Sequence, residues 1–367
     1  MPKTILITGG AGFIGSHLAD ELLRAGYRVR ALDVLDPQVH PQGERPGYLD
    51  ADVELVVGDV RDADAVRRAL DGAEAVFHLA ARVGVGQSMY EIAGYQGVNA
   101  YGTGVLLEAL LDHPVERLVV ASSMSVYGEG AYETRDGRPA VPAGRRLEAG
   151  EWDPRGPDGE ELVPVPTPET KEPDLASIYA LGKYDQERMC LIHGRAYDVP
   201  AVALRFFNVY GPRQALSNPY TGVLAIFAAR LLNRKPPLVF EDGRQRRDFV
   251  SVADVVRACR LALERDEAAG EVVNVGSGRS VDVLEIAEEL RLALDSDVQP
   301  EVTGRVRAGD IRHCFGDVSK ARRVLGFEAS VPLEEGIAEL ASWLEGQVAE
   351  DRVDDAAREL VARGLAR

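Results

Sequence analysis

Three glycines, spaced three residues apart, follow the first apolar run of the chain. Residues 3–8 predict a short buried strand, and the apolar spacing of residues 13–25 predicts a helix. Between them, Gly9 permits a tight turn, Gly12 lets a bound group approach the backbone, and Gly15 lets the helix pack on the strand. The helix N-terminus attracts phosphate through free N–H groups and positive partial charge. A bare tight turn is the alternative, but the strand, turn and helix together predict a dinucleotide-binding site.

An acidic residue ends the second predicted strand. Asp33 stands 18 residues after Gly15, near the spacing of about 20 at which an acid meets the hydroxyls of the adenosine ribose. A strand-end aspartate alone is more often a turn former, so the interpretation depends on the glycine turn upstream. A carboxylate here repels the additional phosphate of NADP, and the sequence therefore favours NAD.

Predicted strands and helices alternate through the first half of the chain. Further strands are expected at residues 27–33, 53–58, 75–80, 117–123 and 201–206, and helices near residues 63–70, 98–111 and 177–196. This alternation predicts an α/β fold, a Rossmann-type doubly wound parallel sheet, with a smaller C-terminal substrate-binding domain.

Changes in the composition and periodicity of the sequence also predict domain bounds. Residues 1–207 form the predicted dinucleotide-binding domain, interrupted at about 129–171 by an irregular insertion rich in Gly, Pro, Arg and Glu. Residues 208–345 form a smaller, discontinuous substrate domain, and residues of about 251–276 return to the first sheet. The charged tail 346–367 is expected to be a helix on the solvated surface.

Charge and cysteine content exclude several classes of protein. The chain has 42 Lys and Arg against 59 Asp and Glu, a net charge of -17 that repels nucleic acid and anionic membranes. Its three separated cysteines form neither a disulfide framework nor a metal-type pair, which indicates a reducing compartment. Without a secretory signal or an apolar run of about 20 residues, the predicted location is the cytoplasm.

A phenol and an amine share one face of the predicted helix 177–196. The ordinary pKa of a tyrosine is about 10, so Tyr179 needs the nearby cation of Lys183 to act as a base at neutral pH. Ser122 and Ser123 end a predicted strand, where a hydroxyl can bond to a substrate oxygen that loses its proton. The Tyr/Lys spacing alone is common on helices, but these features together predict one catalytic site.

The chain resembles extended short-chain dehydrogenase/reductases of the nucleotide-sugar epimerase and dehydratase family over roughly residues 3–345. The resemblance is carried by T-G-G-A-G-F-I-G, G-D-V-R-D, H-L-A-A, S-S-M-S-V-Y-G, Y-A-L-G-K, L-R-F-F-N-V-Y-G-P-R, R-R-D-F-V-S-V-A-D-V and R-A-G-D. It implies NAD as cofactor, a nucleotide-diphosphate sugar as substrate and a homodimer as assembly. It also implies that the catalytic triad is Ser123, Tyr179 and Lys183.

The same resemblance implies the remaining contacts. Asn208 contacts the sugar nucleotide, and Arg247 and Arg307 grip its pyrophosphate, a role that suits the planar guanidinium group. Val83 and Cys314 are expected near the sugar, although Cys314 is equally well an ordinary buried cysteine. The residues expected to contact NAD are Gly9, Gly12, Phe13, Ile14, Gly15, Asp33, Asp59, Val60, Leu79, Ala80, Ala81, Asn99, Ser122, Tyr179 and Lys183. His78 is interpreted as a satisfied core histidine rather than a catalyst.

The neighbours of Ser123 indicate which reaction follows the first oxidation. Family dehydratases carry an Asp-Glu pair and decarboxylases usually a Glu there, whereas this chain has Met124 and Ser125, which are poor proton carriers. NAD-dependent 4-epimerisation, in which the keto sugar turns over and takes the hydride back, is favoured. The runs at 78–90 and 218–222 resemble a bacterial branch assigned to TDP-L-rhamnose, a TDP-6-deoxyhexose.

Other functions stay open. They are a UDP-glucose/UDP-galactose, N-acetylated or uronic 4-epimerase, a dehydratase or keto-reductase of nucleotide sugars, and a non-catalytic NAD-binding regulator. Similar chains of the branch carry two Cys-x-x-Cys knuckles in the insertion. Here the corresponding positions hold Thr134, Gly137, Gly156 and Gly159, so no metal is predicted and the insertion is expected to be ribbon-like or a flap.

Overall fold

The structure is a computed structural model that describes residues 2–147, 150–220, 222–307 and 309–366. A parallel sheet of seven strands lies at its centre. The strands of the described residues are β1 (Thr4–Thr8), β2 (Arg28–Asp33), β3 (Glu54–Val57), β4 (Ala75–His78), β5 (Arg117–Ser123), β6 (Ala131–Thr134), β7 (Pro139–Ala140), β8 (Gly144–Arg146), β9 (Glu151–Arg155), β10 (Leu162–Val165), β11 (Ala201–Phe206), β12 (Asn208–Tyr210), β13 (Leu238–Val239), β14 (Arg246–Arg247), β15 (Phe249–Ser251), β16 (Val272–Val275), β17 (Val281–Asp282), β18 (Glu301–Val302) and β19 (His313–Cys314). The central sheet has the order β3-β2-β1-β4-β5-β11-β16, which confirms the doubly wound fold.

Helices cover both faces of this sheet, and others belong to the C-terminal half. The helices of the described residues are α1 (Phe13–Arg24), α2 (Ala63–Leu70), α3 (Val85–Ser88), α4 (Ile92–Gln96), α5 (Gly102–Asp112), α6 (Ile178–Tyr197), α7 (Val223–Leu232), α8 (Val252–Glu264), α9 (Val283–Ala293), α10 (Ser319–Leu325), α11 (Leu333–Leu344) and α12 (Val353–Ala362). The side chains of α1 and α8 pack on one face, and those of α2, α5 and α6 pack on the other. None of the helices described is long and apolar enough to cross a membrane.

The strands nearest the centre are buried along their whole length because both of their faces are covered. The residues of β1, β4 and β5 are all buried, as expected for a parallel sheet between two layers of helices. The first strand pairs with β2 on one side and β4 on the other, so the chain reverses its direction of winding at β1. This reversal opens a crevice at the carboxyl ends of the strands, where ligands of such sheets bind.

The insertion, which the sequence predicts to be irregular and either ribbon-like or a flap, forms antiparallel strands. The order of its larger sheet is β10-β6-β7, and β8 pairs with β9. The chain reverses at Gly137 and Gly159, which have φ values of +79° and +82° that favour glycine. These strands are short and half exposed, which leaves little periodic signal in the sequence. Among the residues described, no group of His, Cys, Asp or Glu side chains is arranged to hold a metal ion.

The C-terminal half has its own apolar core. Side chains of α7, α9 and α11, among them Phe227, Leu290 and Leu340, pack together there beside small sheets that include β14, β17 and β19. The tail helix α12 is not a solvated surface helix as expected, because Ala356 and Leu360 are only 8% and 7% exposed. The strand β16 joins the edge of the central sheet, and the predicted domain bounds themselves stay a prediction.

Candidate active site

The glycine turn between β1 and α1 leaves room for a pyrophosphate. Gly9 has a φ of +71°, and a Cβ placed there would lie 3.0 Å from the backbone of Ala80. A Cβ at Gly15 would overlap the carbonyl oxygen of Gly9, whereas at Gly12 it would meet only that oxygen, at 3.4 Å. Among the described residues no side chain caps α1, so the N–H groups of its first turn, beginning at Phe13 and Ile14, are available to an anion. The turn therefore fits the pyrophosphate of NAD.

The carboxylate of Asp33 lies beside this turn. Its oxygens accept hydrogen bonds from the backbone N–H groups of Ala11, at 3.0 Å, and Leu35, at 2.9 Å. A carboxylate has about four acceptor positions, so two remain for ribose hydroxyls. Asp59, at the end of the next strand, is held by Arg61, whose Nε donates to it at 2.9 Å, and this cation keeps the pKa of Asp59 below its ordinary value. Val60 beside it is buried.

The loop after β4 closes the cofactor side of the crevice. Leu79 and Ala80 lie against the glycine turn, and Ala81 follows them. Asn99 holds this loop in place: its Oδ1 accepts from the backbone N–H of Arg82 at 2.8 Å, and its Nδ2 donates to the carbonyl of Arg82 at 3.1 Å. Asn99 lies in a π-helical turn, Gly97–Tyr101, a form that is frequent at functional sites. In this structure its amide positions the loop.

His78 is a core histidine, as interpreted from the sequence. Its Nδ1 lies 2.8 Å from Thr8 Oγ1, and its Nε2 lies 2.8 Å from Thr103 Oγ1. Burial lowers the pKa of His78 to about 3, and the charge of Lys183 adds to this. The ring is therefore neutral and fully hydrogen-bonded, which suits a structural role.

The side chains of Tyr179 and Ser123 meet at the amino end of α6. Ser177 caps this helix by accepting from the N–H of Ala180 at 3.1 Å, and the N–H of Tyr179 donates to Ser88 Oγ at 3.1 Å. Burial raises the pKa of the Tyr179 phenol, and a hydrogen bond with the hydroxyl of Ser123 lowers it. The serine hydroxyl therefore favours ionisation of the phenol, and both residues line the same cavity.

Lys183 lies one turn further along α6 and is only 3% exposed. Its Nζ donates to Gln186 Oε1 at 2.7 Å, and burial lowers its pKa to about 7. The amide nitrogen of Gln186 lies 3.0 Å from His78 Nε2, so Gln186 connects the lysine to the core histidine. Sequence reasoning missed Gln186, although its spacing of three residues from Lys183 places both on one helix face.

The hydroxyl of Ser122 forms a buried hydrogen bond away from the substrate cavity. It donates to Glu187 Oε2 at 2.7 Å, and Glu187 also pairs with Arg205 at 2.7 Å. All three side chains are buried. The hydroxyl of Ser122 is therefore part of a buried network that links β5, α6 and β11, and a contact of Ser122 with NAD stays a prediction.

A cavity of about 400 Å³ opens beside Ser123 and Tyr179. Most of the residues expected to bind the substrate line it: Val83, Asn208, Arg247 and Arg307. Asn208 Oδ1 is buried without a hydrogen-bond partner among the described residues, so it is available to a ligand donor. The cavity thus joins the predicted catalytic groups to the predicted substrate groups.

The two arginines of the cavity are positioned differently. Arg247 donates to three backbone carbonyls, those of Arg246, Arg312 and Ile311, at 2.6 to 2.9 Å, and burial lowers its pKa. Arg307 donates from Nε to Asp310 at 2.9 Å and stacks 4.2 Å from the ring centroid of Phe240. Carbonyls leave the charge of Arg247 unneutralised, which suits a diphosphate.

Cys314 does not line the cavity. It is 1% exposed and packs with Met124, Val126, Tyr127 and Phe207. Burial raises the pKa of its thiol to about 12. The expected contact of Cys314 with the sugar is therefore corrected, and the residue is the ordinary buried cysteine that the sequence left open.

Sequence reasoning also missed cavity residues that lie far apart in the chain. Gln245 lines the cavity, and its Oε1 is buried without a partner among the residues described. Residues of α12, including Leu360, line it as well. No local signal marks either of them, because each reaches the cavity only through the tertiary fold.

Comparison with known proteins agrees with this geometry. Residues 5–276 match the family described as the NAD dependent epimerase/dehydratase family. The chain is similar to dTDP-L-rhamnose 4-epimerase of Burkholderia thailandensis, with 38% identity over 93% of this chain and 95% of that protein. Among solved structures it is similar to UDP-glucose 4-epimerase of Thermotoga maritima with UDP-glucose (33% identity, TM-score 0.77, 93% and 98% of the two chains). It is also similar to UDP-glucose 4-epimerase of Thermus thermophilus in complex with NAD (31%, TM-score 0.76, 94% and 100%).

Proposed function

Because the chain belongs to the NAD-dependent epimerase/dehydratase family and is an enzyme of nucleotide sugars that uses NAD, we propose that it is a nucleotide-sugar 4-epimerase. Its proposed substrate is a TDP-6-deoxyhexose such as TDP-L-rhamnose. The similarity to a dTDP-L-rhamnose 4-epimerase over nearly the whole of both chains supports this choice.

The observation that carries the proposal is the chemistry next to Ser123. Met124 and Ser125 line the cavity at this point, and Ser125 Oγ accepts a hydrogen bond from Ser123 Oγ at 3.1 Å. A thioether holds no transferable proton, and an unactivated serine is a poor acid or base. The site therefore favours epimerisation, which needs one base, over dehydration, which needs an additional acid.

In this proposal Tyr179 is the base. Its phenolate removes the proton from the sugar 4-hydroxyl, and Ser123 Oγ donates a hydrogen bond to the oxygen that carries the developing charge. Lys183 stabilises the phenolate by its positive charge, and Gln186 holds that amine in place. NAD supplies the chemistry of a reversible hydride acceptor at this place. Tyr179 would return the proton to the sugar oxygen when the hydride is returned to carbon 4, so the hydroxyl is restored and no net oxidation occurs.

The nucleotide end must stay bound while the keto sugar turns over. Arg247 and Arg307 are the proposed diphosphate ligands, and Asn208 accepts from a donor of the sugar nucleotide through its free Oδ1. The cavity of about 400 Å³ holds both the arginines and the catalytic pair, so one ligand can reach both. Anchoring at the diphosphate leaves the sugar free to present either face.

The wall of the cavity near Tyr179 is apolar, which supports a 6-deoxy sugar. Val83, Val85 and Met124 line this part of the cavity. Among the lining residues that the structure describes, Arg247 and Arg307 carry the positive charges, and both are assigned to the diphosphate. The carboxylate of a uronic acid would lack a cationic partner here, at a high desolvation cost.

One experiment separates the candidate functions. The purified protein is incubated with TDP-L-rhamnose, and the configuration at carbon 4 is followed by NMR while absorbance reports NADH. Inversion without net NADH supports the proposal. A keto product would indicate a dehydratase, consumption of reduced cofactor a keto-reductase, and no turnover of any sugar nucleotide a regulator. Conversion of UDP-galactose instead would favour the second candidate, a UDP-glucose 4-epimerase, which the two similar solved structures suggest.

We also propose that the protein is cytoplasmic and that it forms a homodimer. Exposed apolar side chains on α5 and α6 support the homodimer. Leu111, Ile192 and Tyr197 are 50%, 53% and 59% exposed. Contact between α5 and α6 of two copies would bury such side chains in a helix bundle. Light scattering of the purified protein tests this assembly, and a monomer at micromolar concentration would exclude it.

A further inference from the structure

The segment that ends the described chain lies against the substrate cavity. From α12 and the residues after it, Val353, Ala356, Ala357, Leu360 and Leu365 line the cavity. All five are apolar. This segment therefore contributes a continuous apolar surface to the cavity that is also lined by the diphosphate arginines and by Ser123 and Tyr179.

The same segment is anchored to the C-terminal half by charges. Asp354 pairs with Arg230 at 2.6 Å and with Lys235 at 3.3 Å, and Asp351 pairs with Lys235 at 2.7 Å. The side chains of Arg230 and Asp351 are 5% and 3% exposed, whereas those of Asp354 and Lys235 are 51% and 43% exposed, so one half of this anchor is buried and the other half faces solvent. Loss of one partner of the buried half would leave an uncompensated charge, which favours the observed position of α12.

Its other contacts reach the catalytic side of the cavity. A Cβ built at Gly86 would lie 3.3 Å from Leu360 Cδ2, and the guanidinium of Arg363 lies 4.3 Å from the ring centroid of Tyr90. Gly86 belongs to α3, whose Ser88 accepts from the N–H of Tyr179. Leu360 therefore faces the part of the cavity next to the proposed base.

The last described residue reaches the diphosphate side. Ala366 forms an antiparallel bridge with Arg307, one of the proposed diphosphate ligands. The segment thus runs along the cavity from the neighbourhood of Tyr179 to that of Arg307. Because it touches both ends, a nucleotide sugar that spans them lies beside it.

We propose that α12 is a wall of the sugar-nucleotide cavity and that Leu360 determines sugar specificity by favouring a 6-deoxyhexosyl group over its 6-hydroxylated counterpart. This inference rests on the proposed function. An apolar side chain that fills this space offers no partner to a buried hydroxyl and excludes water, so it disfavours a 6-hydroxyl, whereas a shorter side chain would leave room for a water molecule as partner. A methyl group in the same place needs no partner.

The first test replaces Leu360 with alanine and uses V361A as its matched control. Val361 follows Leu360 directly in α12, but it is 53% exposed and does not line the cavity. Dissociation constants for TDP-L-rhamnose and for a TDP-hexose with a 6-hydroxyl are measured by calorimetry on full-length protein. We expect the wild type and V361A to prefer the 6-deoxy sugar by about tenfold or more, and L360A to fall to within about threefold. Equal ratios in all three proteins would overturn the inference.

A second pair of variants tests the wall without making a hole in it. Ala357 lines the cavity, whereas Ala362, at the end of the same helix, is exposed. A357L should weaken binding of either sugar nucleotide by about tenfold, since the larger side chain would occupy space that the ligand needs, and A362L should not. If A362L weakens binding as much as A357L, or if neither variant changes it, α12 is not a wall of the site.

Because these tests measure ligand binding and not turnover, they can fail or succeed independently of the proposed function. A protein that binds both sugar nucleotides but inverts neither would refute the epimerase proposal, while the L360A and A357L comparisons would still decide the role of α12. Conversely, C4 inversion with unchanged ratios in L360A would support the epimerase and refute the specificity role of Leu360. Thermal unfolding of each variant confirms that the native fold is retained.

Discussion

Replacing Asp33 with asparagine removes one negative charge at the end of β2 and keeps the shape of the side chain. The asparagine Oδ1 can still accept from the N–H of Ala11, as the carboxylate does at 3.0 Å, while the bond from the N–H of Leu35 is lost. The glycine turn keeps its hydrogen bond to this side chain, so we expect it to keep its conformation, and the main change at the ribose is the loss of charge. We predict that D33N loses much of its preference for NAD over NADP.

The size of this change follows from the charges involved. Two unit charges 4 Å apart interact by about 4 kcal/mol at an effective dielectric constant of about 20. Asp33 is half-buried and shares its charge with two N–H donors, so we take about 1.4 kcal/mol, or tenfold, per unit of charge. The 2′-phosphate of NADP carries about two charges, and its binding should improve by about 10- to 100-fold. Binding of NAD should weaken by about tenfold, since the ribose loses a charge-assisted hydrogen bond.

Calorimetric titration of the cofactor-free protein with NAD and with NADP measures both changes. D36N is the matched control: Asp36 lies three residues further along the same loop and accepts from the N–H of Gln38 at 2.8 Å. We expect D36N to behave as the wild type. If D33N and the wild type show the same NAD-to-NADP ratio, Asp33 does not face the ribose and the reasoning fails.

Three further predictions address the catalytic centre and its support. The kcat of the Y179F variant should fall by about 10²- to 10⁴-fold, because the base is gone, while its dissociation constant for the sugar nucleotide should stay within about threefold of the wild-type value. Turnover near the wild-type rate, followed by NMR, would exclude Tyr179 as the base. E187Q leaves Arg205 buried with a neutral partner and should lower the free energy of unfolding by about 3–5 kcal/mol. Urea unfolding measures this change, with E108Q as a control at an exposed site; equal urea midpoints for E187Q and E108Q would contradict the prediction. The pKa of Lys183 is about 7 in the folded protein and about 10.4 in the unfolded chain. Between these two pH values the unfolded chain binds more protons than the folded protein. Lys183 therefore makes the NAD-free protein more stable as the pH rises, by up to about 1.4 kcal/mol per pH unit. Urea unfolding of K183M from pH 7 to 9 should lack this part of the slope, and a slope equal to that of the wild type would show that Lys183 is not the group responsible.

The parts of the site that follow from local backbone and helix geometry could be predicted from the sequence. Gly9, Gly12 and Gly15 stand where a turn needs glycine, and the structure shows that a Cβ at two of them would meet neighbouring backbone. The spacing of Tyr179 and Lys183 places both on one face of a helix, and α6 includes them. In each case a few adjacent residues determine the conformation, so a short stretch of sequence is sufficient.

The parts that depend on distant residues could not be predicted in this way. Ser122 is predicted to contact the cofactor, but the sequence does not show that its hydroxyl donates to Glu187, which in turn pairs with Arg205. Cys314 is buried because β19 pairs with β14, and its sequence neighbourhood does not show this. The wall formed by α12 depends on ion pairs between residues more than a hundred positions apart in the chain. Neither periodicity nor motif spacing contains such information.

The triad of Ser122, Glu187 and Arg205 has a consequence for how this protein can evolve. A well-packed apolar set could replace a buried ion pair at little cost, yet replacing Glu187 or Arg205 alone leaves an unmatched charge in the protein interior, and replacing Ser122 alone removes a hydrogen bond from Glu187. Substitutions at these three positions are therefore epistatic: each is harmful alone and neutral only in combination. Drift should change the three together or leave them as they are.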